Sequence, residues 1–176
     1  MGKGLLILGT GGHGKVVREV ALSLKENGRP KYDVIEFLDD HSMDAIGKIG
    51  NLEDFAGEFE EVFCGIGNNE VRKSLLEQAE KLGFHIPVLI HTTAYVSPSA
   101  SIEPGTVVEP KAIVNANSVV KAGCIISVGA IVDHDVVVGP CAHVNAGAIC
   151  KAGSVIEACR KLEAGEVVLG YGSIVK

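Results

Sequence analysis

The fold is decided by residues 96–156, which read VSPSASIEPGTVVEPKAIVNANSVVKAGCIISVGAIVDHDVVVGPCAHVNAGAICKAGSVI. An aliphatic residue returns at every sixth position, and the frame continues without a slip to residue 174. A helix repeats every ~3.6 residues and a lone strand every ~2, so neither produces a period of six. A short strand followed by a corner does, and such units stack into a solenoid. The fourteen positions of this aliphatic column, all Val, Ile or Leu except Cys150, are Val96, Ile102, Val108, Val114, Val120, Ile126, Val132, Val138, Val144, Cys150, Ile156, Leu162, Val168 and Ile174.

Small residues and turn formers fill the rest of each six-residue unit. The position four after each aliphatic is mostly Ala, Ser, Thr or Cys, as a side chain inside a tight corner must be. Pro and Gly stand between the strands, as at Pro104-Gly105 and Gly123. Strand alternation turns the aliphatic column inward and its neighbours outward. The pattern predicts a parallel β-helix of hexapeptide repeats over residues 90–176.

A second column, just before each inward aliphatic, is also apolar. A monomer would expose these outward residues to water, so the pattern favours burial against another subunit or domain. The alternative is that β-branched residues are simply common in strands. The column consists of Val107, Ile113, Val119, Ile125, Ile131, Val137, His143, Ile149 and Val155.

Residues 1–89 lack the repeat and alternate strands with helices. We predict buried strands at 5–8, 34–38 and 62–66, a helix over 15–26, and a second helix that ends near residue 82. This order indicates a small Rossmann-like α/β domain with a parallel sheet, whose binding edge lies at the carboxyl ends of the strands.

The first strand is followed by a glycine loop. Gly9, Gly11 and Gly14 match the G-x-G-x-x-G pattern, which lets backbone N–H groups approach a phosphate at a helix N-terminus. Asp39 follows at the distance of a ribose-binding acid. A dinucleotide such as NAD is one interpretation. A domain of this length fits one nucleotide better, and we expect a uridine-type sugar nucleotide.

Composition excludes several classes of partner. The net charge of −6 argues against nucleic acid and against an anionic membrane surface. No apolar run approaches the ~18 residues of a membrane span, and no secretory leader is recognisable, so we expect a cytoplasmic protein. Cys141, Cys150 and Cys159 recur every nine residues, but the period of six sends them to different positions, and no metal site is predicted.

One histidine does not fit the repeat. His134 stands in a corner column otherwise filled by Pro, Ala and Val, between Asp133 and Asp135. A carboxylate that accepts one ring N–H fixes the tautomer and raises the basicity of the other nitrogen. This favours His134 as a general base. No Ser or Cys stands beside a base, so a covalent intermediate on such a residue is not favoured.

Four segments resemble a known family. GTGGHGKVV, FLDD, GIGNNEVR and VDHDVVVGPCAHVNAG are similar to motifs of the bacterial sugar acetyltransferases of the sialic-acid O-acetyltransferase and nucleotide-sugar N-acetyltransferase type. The resemblance covers nearly the whole chain. It implies a left-handed β-helix, a homotrimer with active sites between subunits, acetyl-CoA as donor, and a nucleotide-activated amino sugar as acceptor.

The resemblance also assigns roles to particular residues. It makes His134 the general base with Asp135 beside it, and it places His143 against acetyl-CoA. In the first domain it implies that residues of three loops contact the sugar nucleotide. The contacting residues are Gly11, Gly12, His13, Asp39, Asp40 and Gly67.

The C-terminal stretch departs from the family. Arg160 and Glu166 occupy small inward corners, and Gly170-Tyr171-Gly172 stands where a proline-containing tail borders the CoA. Two other functions therefore remain open. One is acetyl transfer to a free sugar or to another small acceptor such as serine. The other is a non-catalytic trimeric scaffold or sensor that binds a nucleotide sugar.

Overall fold

The structure of this chain is a computed structural model that describes residues 3–171. The chain forms two compact units, Met1–Leu89 and Ile90–Lys176. Gly172 and Ile174, which the sequence pattern singles out, lie outside the described residues.

The first unit is built on a three-stranded parallel sheet, sheet A. Its central strand β1 runs between β4 and β5 and is fully buried, because Leu5, Leu6, Ile7 and Leu8 expose none of their surface. Parallel strands covered on both faces read as continuous apolar runs, as here. The elements are β1 Gly4–Leu8, α1 Gly12–Ser23, β2 Lys25–Glu26, β3 Arg29–Pro30, β4 Val34–Leu38, a 3₁₀ helix Ile49–Phe55, β5 Glu61–Cys64 and α2 Asn69–Lys81.

Two predicted boundaries differ from the structure. The first helix spans Gly12–Ser23, not residues 15–26, because it begins directly after the glycine loop. It ends early because β2 and β3 form a hairpin around Asn27-Gly28, both with positive φ. The third strand ends at Cys64 rather than at residue 66.

The second unit is a left-handed parallel β-helix of two-residue strands. Strands pair with the strands 18 residues away, as Ile113 does with Ile131, so three six-residue units make one coil. Sheet B contains β7, β10, β13, β16 and β18, sheet C contains β8, β11, β14 and β17, and sheet D contains β6, β9, β12 and β15. The strands are β6 Leu89–Ile90, β7 Tyr95–Val96, β8 Ser101–Ile102, β9 Val107–Val108, β10 Ile113–Val114, β11 Val119–Val120, β12 Ile125–Ile126, β13 Ile131–Val132, β14 Val137–Val138, β15 His143–Val144, β16 Ile149–Cys150, β17 Val155–Ile156 and β18 Val167–Val168.

The aliphatic column fills the centre of the β-helix as predicted. From Val108 to Leu162 its members expose at most 1% of their surface, and the small corner residues from Thr106 to Ala148 pack beside them. Full burial of a Val or Ile side chain contributes about 1.5–3 kcal/mol. Burial also raises the pKa of Cys150 to about 12, so this inward thiol stays protonated.

A left-handed backbone conformation recurs at every corner from residue 105 to residue 165, again every six residues. Glycine holds some of these positions, because it takes positive φ without steric cost. Non-glycine residues hold the others. These are Lys111, Asn117, Asp135, Cys141 and Cys159.

The outward apolar column does not form one continuous face, which corrects the sequence interpretation. Because a coil has 18 residues, consecutive members fall on three different sheets. On sheet D, Val107 and Ile125 are buried within the chain itself. On sheet C, Val137 and Val155 expose 38% and 65% of their surface, so only part of the column presents an open apolar surface.

An ion pair replaces the small inward residues near the end of the β-helix. Arg160 Nη2 donates to Glu166 Oε1 at 2.7 Å, and Glu166 Oε2 accepts from the backbone N–H of Glu163. Among residues 3–171, no helix is long and apolar enough to cross a membrane.

Candidate active site

His134 lies at the corner between β13 and β14 with half of its side chain exposed. Its ring nitrogen Nδ1 lies 2.8 Å from Asp135 Oδ2, and its backbone N–H donates to Asp133 Oδ1 at 2.8 Å. A carboxylate can only accept here, so Nδ1 carries the proton and Nε2 is the basic nitrogen. The two flanking aspartates therefore orient the histidine through different atoms.

The charges at this corner favour a basic imidazole. The hydrogen bond with Asp135 raises the pKa of His134 above its ordinary value of 6.5. The same bond, followed by one from Asn117, holds the pKa of Asp135 below its usual range. The backbone N–H of His134 and the amide of Asn115 likewise lower the pKa of Asp133. Both carboxylates therefore stay charged beside the ring near neutral pH.

Two asparagines from the preceding coil support the aspartates, and the sequence interpretation did not include them. Asn117 Nδ2 donates to Asp135 Oδ1 at 3.2 Å, and Asn115 Nδ2 donates to Asp133 Oδ1 at 3.1 Å. Each asparagine stands 18 residues before its aspartate. A search at the spacing of one coil, in addition to the spacing of six, would have found them.

His143 lies on β15 in sheet D and is buried. Its Nε2 is 2.9 Å from Ser127 Oγ, which stands 16 residues earlier, just after β12. In a three-sided coil, the corner between sheets B and C is opposite sheet D. A single chain therefore does not bring His143 to the same site as His134.

The predicted nucleotide contacts of the first unit share one edge of sheet A. Gly11, Gly12 and His13 follow β1, Asp39 and Asp40 follow β4, and Gly67 follows β5. The carboxyl ends of parallel strands meet at one edge, and such edges are where α/β sheets bind ligands.

Asp39 holds the glycine loop in place. Its Oδ2 accepts from both the backbone N–H and the hydroxyl of Thr10, at 2.8 and 2.9 Å, and its Oδ1 accepts from His41 N–H. These bonds, that of the Thr10 N–H first, lower the pKa of Asp39. Asp40 is exposed and accepts from the N–H of Ile49. A ligand contact by Asp39 or Asp40 remains a prediction.

The glycines at this edge fall into two groups. A Cβ on Gly14 would lie 2.0 Å from the carbonyl oxygen of Gly9, and one on Gly65 would lie 2.6 Å from Gly14 Cα. Close packing of α1 against the sheet therefore requires these two glycines. A Cβ on Gly11, Gly12 or Gly67 would meet no atom within 4 Å, and none of the three has a positive φ. Packing does not explain them, and their contact with a ligand remains a prediction.

The third loop has its own support, which the sequence interpretation also missed. Arg72 of α2 is fully buried, and its guanidinium donates to the carbonyl oxygen of Ile66 at 3.1 Å and to Asn69 Oδ1 at 2.8 Å. Asn68 caps α2 by accepting from the N–H groups of Glu70 and Val71. The backbone on either side of Gly67 is therefore held firmly.

Both units of the chain are similar to parts of known proteins. Residues 4–79 match the family model described as the PglD N-terminal domain. The acetyltransferase domain of PglB from Neisseria gonorrhoeae FA1090 is 34% identical, with a TM-score of 0.83 over 96% of this chain and 92% of that chain. The same domain in complex with acetyl coenzyme A is 35% identical, with a TM-score of 0.79 over 97% and 92%.

A second relative comes from Caulobacter crescentus. It is a variant of perosamine N-acetyltransferase in complex with CoA and GDP-perosamine. It is 29% identical, with a TM-score of 0.81 over 95% of this chain and 89% of that chain. The similarity to both relatives therefore extends across both units.

The His134–Asp135 pair predicts a shift in pH dependence. Asp135 raises the pKa of His134, so Asp135→Asn should lower it and move the titration midpoint of the ring to lower pH. The base form would then appear at lower pH. NMR titration of the ring measures the midpoint directly, with His91 of the same chain as an internal control. An unchanged or higher midpoint for His134 would contradict the coupling.

The two groups of glycines predict opposite effects on stability. Gly14→Ala should destabilise the chain by about 1–3 kcal/mol or more, because its Cβ has no space. Gly12→Ala should leave the thermal midpoint unchanged or slightly higher, because Ala favours a helix. It should still reduce the stabilisation by UDP or GDP, measured as a thermal shift. Equal loss of thermal stability in both variants would refute the distinction.

Proposed function

The chain belongs to the sugar acetyltransferase family, and within that family we propose that it transfers an acetyl group from acetyl-CoA to the amino group of a nucleotide-linked sugar. The observation that carries the proposal is the His134–Asp135 pair, with 2.8 Å between Nδ1 and Oδ2, on an exposed corner of the β-helix. The relatives bound to acetyl coenzyme A, and to CoA with GDP-perosamine, support the same donor and the same class of acceptor.

The first unit supplies the nucleotide site in this proposal. Gly11, Gly12 and Gly67 allow phosphate oxygens to approach backbone N–H groups at the edge of sheet A. Asp40 is the exposed carboxylate at that edge, suited to accept from a ribose or base. The sequence favours a uridine nucleotide and the Caulobacter relative a guanosine nucleotide, so both belong in the assay.

The chemistry is direct transfer. The acceptor amine attacks the thioester carbonyl carbon, and Nε2 of His134 takes the proton that the nitrogen loses. The tetrahedral intermediate collapses, the C–S bond breaks, and the CoA thiolate receives that proton. Asp135 stabilises the imidazolium between these two steps, because its carboxylate bonds the protonated Nδ1. A cytoplasmic location remains a prediction.

A complete site in this proposal needs two chains. His134 and His143 lie on opposite sides of the β-helix, so His143 of a neighbouring subunit would complete the acetyl-CoA site next to His134. The exposed apolar side chains of Val137 and Val155 on sheet C support side-by-side packing. We therefore propose a homotrimer, in which each β-helix contributes His134 to one site and His143 to a neighbouring site.

Steady-state kinetics tests the base. His134→Ala should lower kcat by about 10²–10⁴ with the fold retained, because a half-exposed corner side chain leaves the core intact. Asp135→Asn should cost less, since it removes the orienting group but not the base. His143→Ala should mainly raise KM for acetyl-CoA. His91→Ala, at another corner of the β-helix, is the control and should be unaffected.

The same assay separates the alternatives. GDP-perosamine, a UDP-linked amino sugar, free amino sugars and serine are supplied as acceptors. Acetylation of free sugar or serine alone would favour the small-acceptor enzyme. Binding of a sugar nucleotide without any transfer would favour the scaffold. Near-wild-type kcat in folded His134→Ala would exclude His134 as the base.

Mixed assemblies test the shared site. His134→Ala and His143→Ala chains with different tags are co-expressed, and trimers that carry both tags are isolated. In a cyclic trimer, about one interface in three then pairs an intact His134 with an intact His143. At low acetyl-CoA concentration we expect about one-third of wild-type activity, well above either parent. If both histidines act from one chain, the mixture will show no recovery.

A further inference from the structure

Tyr171 lies beside the catalytic corner, in the stretch where the sequence departs from its family. Its ring centroid is 6.5 Å from that of His134, with the ring planes inclined by 43°. Its backbone N–H donates to the carbonyl oxygen of Ala152 at 2.9 Å. This bond has the same register as Gly153 N–H to His134 and Asp135 N–H to Ala116, so Tyr171 continues the stack of corners that contains the base.

Two glycines make room for this side chain. A Cβ on Gly153 would lie 2.1 Å from the Tyr171 ring, so only glycine lets the ring lie across that corner. A Cβ on Gly170 would lie 1.9 Å from the Ala152 carbonyl oxygen, so only glycine lets the backbone pass there. The ring therefore lies over Gly153 and beside His134.

Burial in a core does not explain why residue 171 is aromatic. Tyr171 exposes 67% of its surface, although one edge rests on Gly153. An aromatic residue that contributes little to a core, yet lies beside the proposed base, has the properties of a ligand-contacting residue.

We propose that the Tyr171 ring is the platform on which the acceptor sugar stacks while His134 takes the proton from its amine. This rests on the proposed function. The acceptor nitrogen must come within about 2.6–3.2 Å of His134 Nε2, so the pyranose that carries it lies within reach of a ring 6.5 Å away. One face of a pyranose presents C–H groups, which pack on an aromatic ring. In this proposal Tyr171 contacts the sugar and not the nucleotide.

Calorimetric titration separates the sugar from the nucleotide. Wild type and variants are titrated with whichever of GDP-perosamine or a UDP-linked amino sugar the wild type binds, and with the corresponding nucleoside diphosphate. Tyr171→Ala should raise Kd for the sugar nucleotide by about 3- to 10-fold and leave Kd for the nucleoside diphosphate unchanged. Tyr171→Phe should behave as wild type, because the ring remains.

One further variant makes the test specific. Tyr95→Ala removes a ring of similar exposure on the first strand of sheet B, and should change neither Kd. Circular dichroism confirms that each variant is folded.

The outcomes decide the proposal. An unchanged Kd for the sugar nucleotide in folded Tyr171→Ala overturns it, whether or not KM for acetyl-CoA rises; a rise would assign the ring to the donor. A sugar nucleotide that binds to wild type but is never acetylated refutes the proposed function alone, because the sugar-dependent change in Kd still reports on Tyr171. Wild type that binds no sugar nucleotide refutes both.

Discussion

The corners of the β-helix from residue 105 to residue 165 have a backbone in the left-handed conformation, and most of them have space for only one small inward side chain. This steric constraint sets the period of six, because an aliphatic residue, two turn positions and a small residue must recur in a fixed order. It also holds successive coils in register, since the corner N–H groups from Gly123 to Tyr171 donate to a carbonyl of the coil before. The aliphatic interior and the exposed corners are two results of one repeat.

The corner that carries His134 uses this stacking. Asp135 can occupy a left-handed position that glycine holds in other coils, because a short polar side chain tolerates that conformation. The same stacking places Asn117 one coil away, where its amide bonds the carboxylate that orients His134. The repeat thus positions His134 and Asp135 without a dedicated scaffold, and both side chains lie outside the aliphatic interior.

The first unit uses glycine in a different way, for close packing and for an open backbone. Gly14 and Gly65 bring α1 close to sheet A, and this close approach fixes where the helix N-terminus points. Gly11 and Gly12 then leave the backbone at that terminus open. Asp39 is bonded to Thr10 and His41, so the acid that resembles a ribose ligand also gives the loop its shape.

Sequence by itself determined the β-helix, the three strands of sheet A and the two α-helices apart from some of their ends, and His134 with Asp135 as the unusual corner. These are properties of local order, because a period of six and a misplaced histidine are visible along the chain. It did not place Asn117, Arg72 or Tyr171 at their loops, and it joined Val107 and Val155 in one face that the structure divides. Only the tertiary structure decided these points, since contacts between coils depend on a coil of 18 residues and on three sheets facing different directions. The physical reason is that side chains of neighbouring coils contact each other although they are far apart in the sequence. The residue pattern within a single strand does not reveal such contacts.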